Sequence, residues 1–178
     1  MPANRHDRVL LIGMMGAGKT TIGRALSTVL GWPYYDNDQL LARAVGKDTR
    51  RVQEEEGVLA LRRAESAALD VALTEGGPLI AGVAGGVVTN ILDLQRLTRS
   101  GFVVWLRADI ATLAARVAGT DRPWLGTSPA VALNRLYAGR EALYTAACSF
   151  VVDEGQTTPE LIALEIAKEL SREPRQPR

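Results

Sequence analysis

The chain has one cysteine, Cys148, and one histidine, His6, among its 178 residues. A lone thiol cannot close an internal disulfide, so a reducing, cytoplasmic compartment is the expected setting. Cys148 precedes an apolar strand and reads as a small core residue. His6 lies in a polar N-terminus and is assigned no chemistry. Aromatic residues are also scarce, at 5%, and the formal net charge is only +1. A nucleic-acid surface needs a basic face with stacking platforms, so that partner class is excluded. No apolar run approaches the roughly 20 residues of a membrane helix, so no membrane partner is expected either. The opening MPANRHDRVLLIGMMGAG has a basic flank, but its short apolar run passes straight into glycine. It therefore does not read as a signal peptide. There is no internal repeat and no linker. A single domain is expected, with a core over residues 7–172 and loose, proline-containing ends.

What the sequence does contain is an alternation of two patterns. Strand-like apolar runs occur at 8–13, 33–36, 78–83, 102–106 and 150–153. Helical patterns separate them. Over 20–30, Ile22, Ala25, Leu26, Val29 and Leu30 fall on one stripe. Residues 62–73 are alanine-rich and form a second helix. Over 159–170, Ile162, Ile166 and Leu170 recur every fourth residue, behind Thr158 as N-cap and Pro159 in the first turn. Strands that are apolar throughout and alternate with helices imply a parallel sheet covered on both faces. Ligands of such sheets sit at the carboxyl ends of the strands.

The stretch Gly13-Met14-Met15-Gly16-Ala17-Gly18-Lys19-Thr20 follows the first strand and opens the first helix. It fits the phosphate-loop pattern G-x-x-x-x-G-K-S/T. Glycines let backbone N–H groups turn inward around phosphate oxygens, and the helix presents its positive end. Lys19 reaches the terminal phosphates and the Thr20 hydroxyl ligates Mg2+, with Thr21 next in line. The chain is therefore expected to bind a nucleoside triphosphate. At the end of the second strand, YYDNDQLL supplies Asp36 and Asp38. Either is an ordinary helix N-cap in isolation. Beside a phosphate loop, Asp36 suits the metal shell and Asp38 a substrate hydroxyl. LRRAE (61–65), read as the opening of the long helix, holds an Arg62–Glu65 pair at i,i+3. Residues 119–129 are rich in Gly, Pro, Thr and Ser, which suits a mobile lid carrying Arg122 over the phosphates. Arg140, in YAGREALY, is unremarkable alone.

Taken together, these residues resemble the shikimate kinase family from Arg8 to about Asp153. Asp36 and Asp38 fall on its D-x-D, LRRAE on its F-R-x-x-E and Ala84-Gly85-Gly86 on its glycine triplet. RPWL (122–125) falls on its R-P-L-L and REALY (140–144) on its R-x-x-L-Y. The resemblance implies a P-loop α/β/α fold with a five-stranded parallel sheet in the order 2-3-1-4-5, and a monomer. It also implies transfer of the ATP γ-phosphate to the 3-hydroxyl of shikimate. Asp38 would then contact substrate hydroxyls, Arg62 and Arg140 would hold the carboxylate, and the Gly85 and Gly86 backbone would line the pocket. Arg122 would touch phosphate from the lid and Arg116 would flank the adenine. Two forked, permanently charged arginines suit a planar carboxylate on chemical grounds as well.

This sequence departs from the family pattern at Leu61, at Ala84 and, in the lid, at Trp124, changes that touch mainly the acceptor side. Two other readings stay open: a kinase of another hydroxylated acid or cyclitol, gluconate-like, and an ATP-binding regulator without turnover. Ala84 carries a conditional expectation. If its position needs positive φ, its methyl group strains the backbone, and glycine there would improve turnover.

Overall fold

The computed structural model describes residues 7–120, 126, 128–153, 155 and 157–172. Strand β1 (Arg8–Ile12) is buried along its whole length, as a strand with neighbours on both edges must be. It pairs in parallel with β3 (Leu79–Gly82) and β4 (Phe102–Arg107). Outside these lie β2 (Tyr34–Tyr35), on β3, and β5 (Phe150–Asp153), on β4. The order is β2-β3-β1-β4-β5, as the resemblance implied.

The helices follow from this order. Parallel crossovers are almost always right-handed. The chain moves one way across the sheet from β1 to β2 and the other way from β2 to β3, β3 to β4 and β4 to β5. The helix of the first crossover, α1 (Lys19–Leu30), therefore covers the opposite face from those of the later ones. These include α2 (Asn37–Val45), α3 (Thr49–Thr74), α4 (Ile91–Ser100), α5 (Ile110–Val117), α6 (Pro129–Ala138) and α7 (Glu141–Ala147). The packing agrees. The last helix, α8 (Pro159–Arg172), lies against α1, while α4 packs on α3 and α7. No helix among the described residues is long and apolar enough to cross a membrane.

Several local readings need correction. Residues 61–65 do not open a helix, because α3 already begins at Thr49, behind the Asp48 N-cap. Gly57 interrupts it with φ 83° and ψ −179°, so the helix breaks there without ending, and Arg62 lies beyond the break. On α1, Ile22 and Leu26 are buried, but Val29 is 40% exposed. Gly23 is buried in its place, because the Tyr34 ring lies against it. A Cβ on Gly23 would stand 2.2 Å from that ring, and one on Gly82 would stand 2.6 Å from the Tyr34 hydroxyl. On α8 the expected stripe holds, with Ile162, Ile166 and Leu170 buried and the Leu161 amide donating to the Thr158 hydroxyl at 3.4 Å. Cys148 is only half-buried and packs at the core margin. The lid residues Arg122 and Trp124 lie outside the described residues.

Few aromatics suffice for the core because they are concentrated. Trp105, 2% exposed, stacks on Tyr144 with ring centroids 5.5 Å apart. Arg8 is also buried, and its guanidinium donates to the Ala72 carbonyl at 3.2 Å and to that of Glu75. A cation thus satisfies the last carbonyls of α3. Replacing Gly23 with alanine should force Tyr34 from its seat. The expected loss is about 1–3 kcal/mol, the usual cost of overpacking, read from urea unfolding midpoints.

Candidate functional site

All five strands end at the same edge of the sheet, and the sequence-derived site residues that the structure describes gather there. The loop between β1 and α1 has positive φ at Gly13, Gly16 and Gly18. No side chain caps the first turn of α1, which leaves its amides facing the loop. Lys19 Nζ donates to the carbonyls of Gly13 at 2.9 Å and Met14 at 3.0 Å. Arg116, from α5, donates to the Gly16 carbonyl at 2.9 Å and so ties that helix to the loop.

Asp36 takes the first of the two roles open to it in the sequence, and its second oxygen meets Thr20. It is the N-cap of α2 with a full capping box, its side chain accepting from the Asp38 amide at 3.1 Å and its own amide donating to Gln39 at 3.1 Å. Its other carboxylate oxygen accepts from the Thr20 hydroxyl at 2.6 Å and the Tyr34 hydroxyl at 3.1 Å. Burial works against the charged form. The donors Thr20, the Asp38 amide and Tyr34, together with the charge of Lys19, outweigh it and hold the carboxyl below its ordinary range. Burial and the same carboxylate push the Tyr34 hydroxyl pKa up, so it remains a proton donor. Asp38 is exposed, and one of its oxygens accepts from the Thr49 hydroxyl at 2.5 Å.

At the far end of the cavity, Arg62 donates to Glu65 at 2.5 Å. Glu65 is 8% exposed and Arg140 6%. The Arg140 guanidinium lies 4.0 Å from Met14 Sδ, below the phosphate loop. Tyr144 donates to the Gly85 carbonyl at 2.7 Å, and burial, partly offset by Arg140, pushes its hydroxyl up to about 12.

The Gly85-Gly86 pair has a more specific cause than an open turn. A Cβ on Gly85 would meet the Gly13 carbonyl oxygen at 2.7 Å, and one on Gly86 would meet the Arg62 guanidinium at 1.8 Å. The missing side chains make room for the phosphate-loop backbone and for an arginine, while both residues still line the cavity. Ala84 is unstrained. No non-glycine described residue has positive φ, and the Ala84 carbonyl accepts a turn hydrogen bond from the Val87 amide at 3.1 Å.

One continuous cavity of about 750 Å3 joins these groups. Gly16, Ala17, Gly18, Lys19, Thr20, Thr21, Asp36 and Arg116 line one part of it. Asp38, Arg62, Gly85, Gly86 and Arg140 line the other. Gly13 is buried behind the loop and is not on the cavity wall. Tyr34, Thr49, Gln53 and Glu65 also line it. Of these, only Glu65 was visible in the sequence, as half of an i,i+3 pair. Tyr34 reads as an ordinary strand residue, and Thr49 and Gln53 lie in a helix segment with no apolar stripe to orient it.

Comparison with known proteins agrees with this geometry. A family model described as "Shikimate kinase" matches residues 15–171. A shikimate kinase of Ruegeria pomeroyi is 36% identical over 157 residues, covering 87% of this chain and 80% of that protein. One of Nitrosospira multiformis is 35% identical over 165 residues, covering 92% and 84%. Among solved structures, the shikimate kinase of Acinetobacter baumannii in complex with shikimate superimposes with a TM-score of 0.87. It is 28% identical and the match covers 94% of each chain.

Two predictions follow from the local geometry. Ala84→Gly should relieve no strain. It should lower stability by about 1 kcal/mol through backbone entropy and a lost buried methyl, with no gain in turnover. Urea titration and steady-state rates check both halves. The lowered Asp36 carboxyl means that the native state gives up this proton more readily than the unfolded chain. Its ionisation then adds stability that is complete above the ordinary carboxyl range and is lost as pH falls through the native value. Asn at position 36 keeps the cap but not the charge. The stability gap between the wild type and Asp36→Asn should be constant near neutrality and narrow from about pH 5 downward. Denaturant titrations across pH would show it, and a gap that widens with acid would contradict the assignment.

Proposed function

Because the chain belongs to the shikimate kinase family, we propose that it transfers the γ-phosphoryl group of ATP to the 3-hydroxyl of shikimate. The observation that carries this reading is the single cavity, with the phosphate loop at one part and Asp38, Arg62 and Arg140 at the other. A donor and an acceptor bound together in it would meet near Lys19 and Asp38. Phosphoryl transfer demands positioning and charge neutralisation more than covalent chemistry.

In this reading the loop amides and Lys19 hold the β- and γ-phosphates. Arg116 lies toward the base, and Arg122 adds a charge from the lid. Asp38 orients the attacking hydroxyl and accepts its proton. Arg62 and Arg140 fix the acceptor's carboxylate with forked donors, and the Gly85-Gly86 backbone shapes the floor. Arg62, held by Glu65, is an adjustable fork, while Arg140 is buried and fixed. Thr20 and Asp36 suit Mg2+. They are hard oxygen donors 2.6 Å apart, and the described residues contain no cluster of three His, Cys, Asp or Glu side chains. Mg2+ typically takes such a sparse protein set and completes its shell with phosphate and water. When bound, it neutralises charge on the phosphates. We place this single-domain enzyme in the cytoplasm as a monomer, in keeping with its lone, half-buried thiol.

A coupled ADP assay tests the reading. ADP release should require both shikimate and Mg2+, and Lys19→Ala should cut kcat by about 100- to 1,000-fold, the usual effect of removing one transition-state charge donor. Folded protein that binds ATP but shows no shikimate-dependent ADP release would overturn it.

A further inference from the structure

The part of α3 before its break carries many polar side chains, and most are paired away from the cavity. Glu54 accepts from Arg50 at 2.7 Å, and Glu55 and Glu56 accept from Lys47 at 2.9 and 2.6 Å. Two residues four apart, Thr49 and Gln53, instead line the cavity. That spacing puts them one above the other on a single helix face. Thr49 is engaged, donating to Asp38 at 2.5 Å. Gln53 is half-buried on the cavity wall, and its side-chain carboxamide has no hydrogen-bond partner among the described residues.

Resting on the function proposed above, we infer that Gln53 is a specificity-determining residue that reads a hydroxyl of the acceptor other than the one phosphorylated. Along α3 it lies between Thr49, which holds Asp38, and Arg62, which faces the carboxylate. Asp38, Gln53 and Arg62 line one cavity, so an acceptor held by the first and last shares it with the Gln53 carboxamide. A carboxamide both donates and accepts, which matches a hydroxyl and not a second carboxylate. The remaining α3 residues on this wall are Val58, Leu61, Arg62 and Glu65, so no aromatic ring from α3 covers the acceptor. An acceptor lacking that hydroxyl would leave the amide desolvated and unpaired, and sites built this way discriminate against such analogues.

The test is Gln53→Met, which keeps chain length and helix propensity but removes the amide. Steady-state kinetics would be run on wild type and variant with shikimate and with its 4-deoxy and 5-deoxy analogues. The KM for shikimate should rise about threefold to tenfold, the scale of one neutral hydrogen bond, with the KM for ATP unchanged. For one of the two deoxy analogues the wild type and variant should be equal. A variant with wild-type KM for shikimate, or one impaired equally on all three acceptors, would overturn the inference and leave the kinase reading standing. A wild type that binds ATP but turns over none of the three would remove both.

Discussion

The cavity is held together by the approach of the β3 terminus to the phosphate loop. At that point the Gly85 backbone lies so close to the Gly13 carbonyl that no side chain fits between them. The Gly85 carbonyl is fixed in turn by Tyr144, whose ring stacks on Trp105 in the core. The loop after β1 and the turn after β3, which line the two parts of the cavity, are thus two sides of one backbone contact. The separation of these two parts of the cavity is set at this point by main chain, anchored on a buried aromatic pair. Side-chain rotamers have little say in it, which suits a reaction that depends on placement.

A second junction orders the charges. The Asp36 carboxylate takes hydrogen bonds from a loop-side hydroxyl, a strand hydroxyl and a helix amide, and so connects α1, β2 and α2. A carboxylate with that many donors stays ionised and has little rotational freedom. The Tyr34 hydroxyl reaches it only because Gly23 and Gly82 leave space for the ring and hydroxyl. A core-packing feature therefore decides the orientation of a charged group at the sheet edge, and stability and site geometry cannot be separated there.

The five strands, the phosphate loop and the last helix were legible in the sequence because each rests on local rules, whereas the sheet order came only from the family resemblance. Apolar runs make buried strands, the glycine-lysine pattern has one geometric solution, and Thr158 with Pro159 marks a helix start. The two readings of Asp36 could not be separated by sequence, because the cap uses only one carboxylate oxygen and leaves the other to meet Thr20. The roles of Gly85 and Gly86 were only half legible. Sequence says that backbone comes close to something there. That the neighbours are the Gly13 carbonyl and the Arg62 guanidinium depends on contacts between residues far apart in the chain. Thr49 and Gln53 were invisible because the break at Gly57 resets the helical phase, so periodicity read from 62–73 does not extend back to them.

The same contrast explains where this chain departs from its family's pattern. Around the phosphates, the groups are main-chain amides and a few side chains with no freedom to vary, and there the sequence keeps to the family form. On the proposed acceptor side, the wall combines α3 side chains with Asp38, Ala84, Gly85, Gly86 and Arg140, from other elements. Leu61 and Ala84 both lie on that wall, both are buried, and neither is strained. Both belong to the core as well, so each shapes the pocket and also contributes to stability. In the proposed reading, the phosphate half of the cavity rests on backbone geometry and the acceptor half on side chains, so chemistry and specificity would be set by different parts of the fold.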